Sequence, residues 1–323
     1  MNNKMQKKRN IKLIILLVLV VLSAISAYFF TEPGDKLKVS RDIFSYNDPA
    51  NVDKVVFDGH DGQHILSYVN GQWRIDSDHM ADPQRVSVLF AILKQMRVRR
   101  EVSRQQSDMV TEKFKAEGTH VKFYEGDNLV HDFHAWGDEQ SSLTYLTDSP
   151  EDQAYIIEIP GYKSFLAGIF QLDKNGWRNP IVFDMNWANL SQVKVAYPKD
   201  SLKGFTVTYQ DQYYNIKELT TTDSVKLTDF LDDISLLYAN DFLSKKELEE
   251  YKALYSGMPQ AIYSVSDVGS TRHTLEIYEE LPKGKEIIGR IDSLDYAVFD
   301  IDKVRKITKP RSYYIKKDSD DIK

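Results

Sequence analysis

The chain has 323 residues, 42% hydrophobic and 28% charged, and no cysteine. That length is too great for one ordinary compact domain and suits two, and the composition excludes a disordered, collagen-like or multi-span membrane chain. Lacking cysteine, it has no disulfide framework, thiolate zinc site, thiol nucleophile or lipoprotein anchor.

Five of the 42 basic residues and none of the 48 acidic ones fall within residues 1–30, so the rest carries a net charge of −11. A body that acidic speaks against general nucleic-acid binding. The basic residues (Lys4, Lys7, Lys8, Arg9, Lys12) form a stub over residues 1–12. Leu13–Phe30, LIILLVLVVLSAISAYFF, then runs without a charge. As a helix it spans about 27 Å, near the hydrocarbon thickness of a bilayer. The positive-inside rule keeps the stub in the cytoplasm, which predicts a single-pass inner-membrane protein with a periplasmic or otherwise extracytoplasmic body. A cleaved signal peptide is the competing reading, because Ala24-Ile25-Ser26 offers a small-x-small cleavage site. Both readings export the body. Residues 31–50, with Pro33 and Gly34, read as a polar linker.

Residues 51–180 read as a first α+β unit. VDKVVFDG, HILSYV and QWRI are short runs rich in β-branched and aromatic residues, the pattern of strands. Asp82-Pro83 opens a helix whose Val86, Leu89, Phe90, Leu93 and Met96 form one apolar face. A more polar helix is predicted over Ser107–Lys115, followed by strands at Val121–Tyr124, Val130–Phe133, Leu143–Leu146 and Tyr155–Ile159. A short apolar helix (Phe165, Leu166, Ile169, Phe170) and a turn at Asn175-Gly176 close the unit.

The same order returns over residues 181–307. Strands at Leu190–Val195, Phe205–Tyr209 and Tyr213–Ile216 precede a helix capped by Asp223, with Leu227, Phe230, Leu231, Ile234 and Leu237 on one face. Leu243–Tyr255 forms a second helix, and four strands end the unit. Tyr155-Ile156-Ile157 of the first unit matches Tyr296-Ala297-Val298 of the second. The expectation is an α+β protein in which a transmembrane helix precedes two tandem related units of antiparallel strands with packed helices. The tail, residues 308–323, is polar and expected to fray.

Gly71-Gln72-Trp73-Arg74-Ile75, the helix after Asp82-Pro83, Tyr155-Ile156-Ile157, Phe165, Trp177-Arg178-Asn179, Phe183 and the strand from Asn189-Leu190 together suggest a family. Over roughly Val52 to Val304 the chain resembles the bacterial family known as domain of unknown function 4340. That family has no established catalytic residues, so the resemblance transfers none. Some relatives are encoded beside gliding-motility-type ABC transporter components, which implies an accessory role at the membrane.

Motifs for chemistry are sparse. DGHDGQH places Asp58, His60, Asp61 and His64 together, but a strand-to-strand turn needs Asp and Gly for its own geometry. His131 and His134 should point to opposite faces of a strand and so do not chelate jointly. Neither G-x-S-x-G, nor G-x-G-x-x-G, nor a P-loop occurs. Adjacent acids such as Asp232-Asp233 are expected by chance among so many. Arg97, Arg99, Arg100 and Arg104 follow the first helix, where they complement its C-terminal dipole.

Aromatic residues are the most suggestive feature. Trp136, Trp177, Arg178, Tyr213 and Tyr214 are the candidate partner-binding residues; Trp136-Gly137 reads as a loop, and Tyr209 and Tyr213 as neighbours on one strand face. The chain therefore reads as a non-catalytic accessory or scaffold, tethered through Leu13–Phe30, with an envelope protein partner and an association with an ABC-type transporter. The alternative is a glycan- or peptide-binding module, and a less favoured one is an unrecognised hydrolase. No cofactor, metal or nucleic acid is expected.

Overall fold

The computed structural model describes residues 40–316, except 61, 164, 186, 211, 270 and 283. The predicted stub and anchor lie outside the described residues. Among those described, no helix is long and apolar enough to cross a membrane.

Two antiparallel sheets and seven helices make up the described chain. The first sheet contains β1 (Lys54–Gly59), β2 (Gly62–Val69), β3 (Gln72–Ile75), β4 (His79–Met80), β5 (Arg97–Glu101), β6 (Thr119–Glu125), β7 (Asn128–Asp138), β8 (Leu143–Thr147) and β9 (Tyr155–Glu158). Helices α1 (Pro83–Gln95) and α2 (Arg104–Glu117) flank β5, and the single turn α3 (Lys174–Trp177) leads onward. The second sheet contains β10 (Leu190–Ala196), β11 (Phe205–Gln210), β12 (Tyr213–Ile216), β13 (Asp241–Phe242), β14 (Ala261–Asp267), β15 (Arg272–Glu280), β16 (Glu286–Ile291) and β17 (Asp295–Asp300). Its helices are α4 (Ser224–Ser235), α5 (Lys245–Glu250), α6 (Lys252–Tyr255) and α7 (Ile301–Ile307).

The strand orders are β4-β3-β2-β1-β6-β7-β8-β9-β5 and β12-β11-β10-β14-β15-β16-β17-β13. Without the two-residue β4 they are the same order. Register agrees as well. Ile157 lies between Val98 and Thr144, and Val298 between Asp241 and Ile288, so the two positions matched in sequence hold equivalent places.

By packing, the described residues divide into two compact units: 40–63 with 88–171, and 64–87 with 172–316. In the first, strict alternation along β6 turns Thr119, Val121 and Phe123 inward and His120, Lys122 and Tyr124 outward. Phe133 packs edge-on against two phenylalanine rings. Its centre lies 6.2 Å from that of Phe44 and 5.3 Å from that of Phe170. The opposite face of this sheet is covered by Val110 and Phe114 of α2, set against Trp136, Tyr145 and Ile156.

In the second unit, Leu227, Phe230, Leu231 and Ile234 of α4 are all buried against β-branched and aromatic residues of the sheet. Asp223 caps α4, its carboxylate accepting from the Lys226 amide. Ser244 and Glu247 form a capping box at α5.

Several segments differ from the sequence reading. Arg97–Glu101 is an edge strand, so Arg97 and Arg99 pair with Asp42 (3.2 Å) and Glu158 (3.6 Å), and Arg104 begins α2. Trp136-Gly137 lies inside β7, not in a loop. Leu243–Tyr255 is interrupted at Tyr251 (φ −95°, ψ 8°). Phe165–Phe170 contributes only a 3-10 turn at Ala167–Ile169. The start of the tail does not fray: Arg311–Tyr314 forms a turn that buries Tyr314, whose carbonyl accepts from the Asp223 amide.

Candidate binding groove

The groove is built from the β11–β12 hairpin. Tyr209 stands opposite Tyr214 and Gln210 opposite Tyr213, and Gln212 closes the turn at φ 71°. The Lys217 amide bonds to the Thr206 carbonyl, which makes Tyr209 and Tyr214 a non-hydrogen-bonded pair, the kind in which side chains approach most closely. Their ring centres lie 5.0 Å apart. Alternation therefore turns Tyr213 to the other face, and it is not a face-mate of Tyr209.

The β2–β3 hairpin has the same construction. Tyr68 faces Trp73 at 5.5 Å, and Asn70 and Gly71 close the turn at φ 52° and 84°. An Asn-Gly pair there fits the primed turn that a two-residue hairpin requires. The aromatic pair is thus a repeated way of stiffening a hairpin.

The second hairpin gains Trp187. Its ring meets Tyr214 edge-on at 5.4 Å, and its indole N–H donates to Asp232 Oδ1 of α4 at 3.1 Å. The Tyr214 hydroxyl shares its proton between the carbonyls of Trp187 and Leu190, each at 2.9 Å. Burial, with Tyr209 beside it, pushes that hydroxyl's pKa up, so it remains a donor. Trp187 is held by its main chain and its ring alike, yet 41% of it stays exposed, as does 56% of Tyr209.

Between this hairpin and α4 runs a groove of about 630 Å³. Leu227 and Leu231 are its apolar floor, and Gln212, Asn215, Ser224 and Thr228 supply amides and hydroxyls. Among the described residues that line it, none is charged. Two other clefts of the second unit differ in this respect. One of about 420 Å³ carries Lys226, Asp229, Asp233 and Lys306; one of about 280 Å³ carries Arg85, Asp173, Arg178 and Asp241.

Of the five residues the sequence singled out, Tyr213 and Tyr214 line the groove. The other three are enclosed. Trp136 stacks on Tyr145 and donates to Glu117 Oε2 at 3.2 Å, and Trp177 is fully buried. Arg178, 8% exposed, pairs with Asp295 at 2.6 Å and lies 3.6 Å over the Phe242 ring. Trp187 was missed by the sequence reading. Its only signal there was an aromatic residue just before a predicted strand.

The histidines fall as strand alternation requires. His131 bonds the Phe44 carbonyl at 2.8 Å, while His134 stacks on His120 at 4.1 Å on the other face. His120 in turn meets Asp132 at 2.8 Å. No group of three or more His, Asp or Glu among the described residues is arranged to hold a metal.

Burial, and then His120, push the His134 pKa down to about 4, against the partial opposition of Asp132. An unfolded histidine titrates near about 6.5. Between those values the unfolded chain binds the extra proton, so stability falls as pH drops through the window. The expected result is that acidification from about pH 6.5 to about 4 lowers the urea midpoint less in His134→Gln than in the parent chain. Paired urea titrations at several pH values check this.

No curated protein and no solved structure matches the chain. One family model does match, over residues 73–253, more than half of the chain. The span takes in the β11–β12 hairpin, Trp187 and α4, hence the whole groove. The chain belongs to the family defined by that model, Domain of unknown function (DUF4340).

Proposed function

We propose that this protein is a non-catalytic accessory of the cell envelope, held at the membrane by Leu13–Phe30, whose body binds an envelope component on the extracytoplasmic side. The observation that carries the binding reading is the groove at Trp187, Tyr209 and Tyr214: exposed aromatic rings on a stiffened hairpin, beside hydroxyl and amide groups. The tether raises the effective concentration of the body near a membrane partner, so a weak contact suffices. Away from the groove, an ABC-type transporter component is the partner class that this reading favours for the tethered body, in keeping with the accessory role that the family resemblance implies. The glycan- or peptide-binding alternative draws on the same rings and differs in the occupant.

Two measurements test the proposal together. Alkaline phosphatase fused after Lys323 should be active, and a cytoplasm-dependent fluorescent fusion at the same point dark. A photoreactive amino acid at position 209 should capture one defined envelope component, whereas the same probe at Leu202, likewise exposed, should not. A cytoplasmic body, or equal labelling from both positions, would overturn the reading.

A further inference from the structure

We infer that the occupant of the groove is a neutral glycan, with a sugar ring laid against Trp187 and Tyr209 and its hydroxyls served by Gln212, Asn215 and Thr228. This rests on the binding reading above and names the ligand class.

Three observations lead there. First, the lining combines aromatic faces with uncharged hydrogen-bonding groups. A pyranose presents axial C–H groups on one face and hydroxyls around its rim, and this lining matches both. Second, the groove is uncharged among its described residues in an acidic body, while the other two clefts of the second unit carry both signs. A charged ligand would find better complements in those clefts than here. Third, the groove, at about 630 Å³, has the size of a small-molecule site. Such sites run from about 300 Å³ to about 1000 Å³. A stable protein partner instead covers about 800 Å² on each side.

The rings are also fixed in advance. The aromatic pair alone recurs in the β2–β3 hairpin and serves that hairpin's stability. Trp187 is the addition. Its carbonyl is bonded by Tyr214 and its indole N–H by Asp232, so the free face of the indole costs little further ordering when a ligand arrives.

Full-length protein in a non-glycosidic detergent is titrated with neutral oligosaccharides of the cello-, malto-, xylo- and chito-series, monitored by tryptophan fluorescence and calorimetry. At least one series should bind and change the emission. Trp187→Ala should weaken that binding about tenfold or more, with the unfolding midpoint close to that of the parent, and Trp187→Phe should keep most of it. Hyaluronate and chitosan, as acidic and cationic glycans, should bind more weakly. The inference fails if no neutral series binds at millimolar concentration, if a charged glycan is preferred, or if a proline-rich peptide binds and the sugars do not. It also fails if binding survives Trp187→Ala unchanged. A photoreactive adduct at position 209 with no sugar binding would leave the envelope-accessory proposal standing and sink the glycan assignment alone.

Discussion

Replacing Gly137 by alanine should destabilise the first unit by about 3 kcal/mol, at the upper end of what overpacking costs. Gly137 sits in β7 opposite Thr144 of β8. A Cβ there would come within 2.2 Å of the Ala167 Cβ and 2.6 Å of the Phe165 ring. Ala167, fully buried, has no room to withdraw. The buried Thr144 hydroxyl accepts from the amides of Leu166 and Ala167 at 3.1 and 2.9 Å, which pins the 3-10 turn against the sheet. Relieving the clash means moving the turn and stranding two buried N–H groups. Urea unfolding measures the effect. Ala167→Gly in the Gly137→Ala background should recover part of the loss, because it removes the nearer of the two clashing groups.

The second large effect is asymmetric. Asp295→Asn should cost about 3 kcal/mol, whereas Arg178→Met should cost only about 1 kcal/mol, since breaking a buried pair is worst where it leaves a buried charge uncompensated. Arg178 is the buried partner: its side chain is 10% exposed against 31% for Asp295. Burial pushes the guanidinium pKa down and Asp295 holds it up. Arg178 Nε has no hydrogen-bond partner, so the guanidinium depends heavily on that one carboxylate. Left alone, Asp295 is readily reached by water; left alone, Arg178 is reached far less, its side chain being only 10% exposed at the wall of a cleft. Methionine, besides, keeps an apolar contact with the Phe242 ring that the guanidinium now covers. Thermal or urea denaturation of the two single variants and the double variant, read as a double-mutant cycle, checks the order and the size.

Much of the architecture was legible because it depends on local period. The helix after Asp82-Pro83 and the helix capped by Asp223 show apolar faces at spacings of three and four, and both are helices. The run THVKFYE alternates, and its inward residues are the buried ones. The match of positions 157 and 298 was visible as spacing, and the two strand orders agree with it. Where local signals are short, the reading erred. RVRRE carries no apolar stripe and becomes a strand only because an edge beside β9 is open to it. Tyr314 sits in a charged tail, and its burial depends on a pocket among Phe205 and Phe230 that chain order does not reveal.

The site divides the same way. Tyr213 and Tyr214 were found because two adjacent aromatics on a short strand stand out in sequence. Trp136, Trp177 and Arg178 stood out equally and are enclosed, since an aromatic residue reads the same whether it faces solvent or core. Composition, charge and period by themselves determined an acidic, cysteine-free α+β body behind a charge-free apolar run, because those properties are sums or repeats along the chain. Which rings stay exposed, and that Trp187 joins Tyr209 and Tyr214 beside uncharged groups from a helix dozens of residues away, only the tertiary structure decided. Those are contacts between residues far apart in the chain, set by strand pairing and helix packing, and no local pattern encodes them.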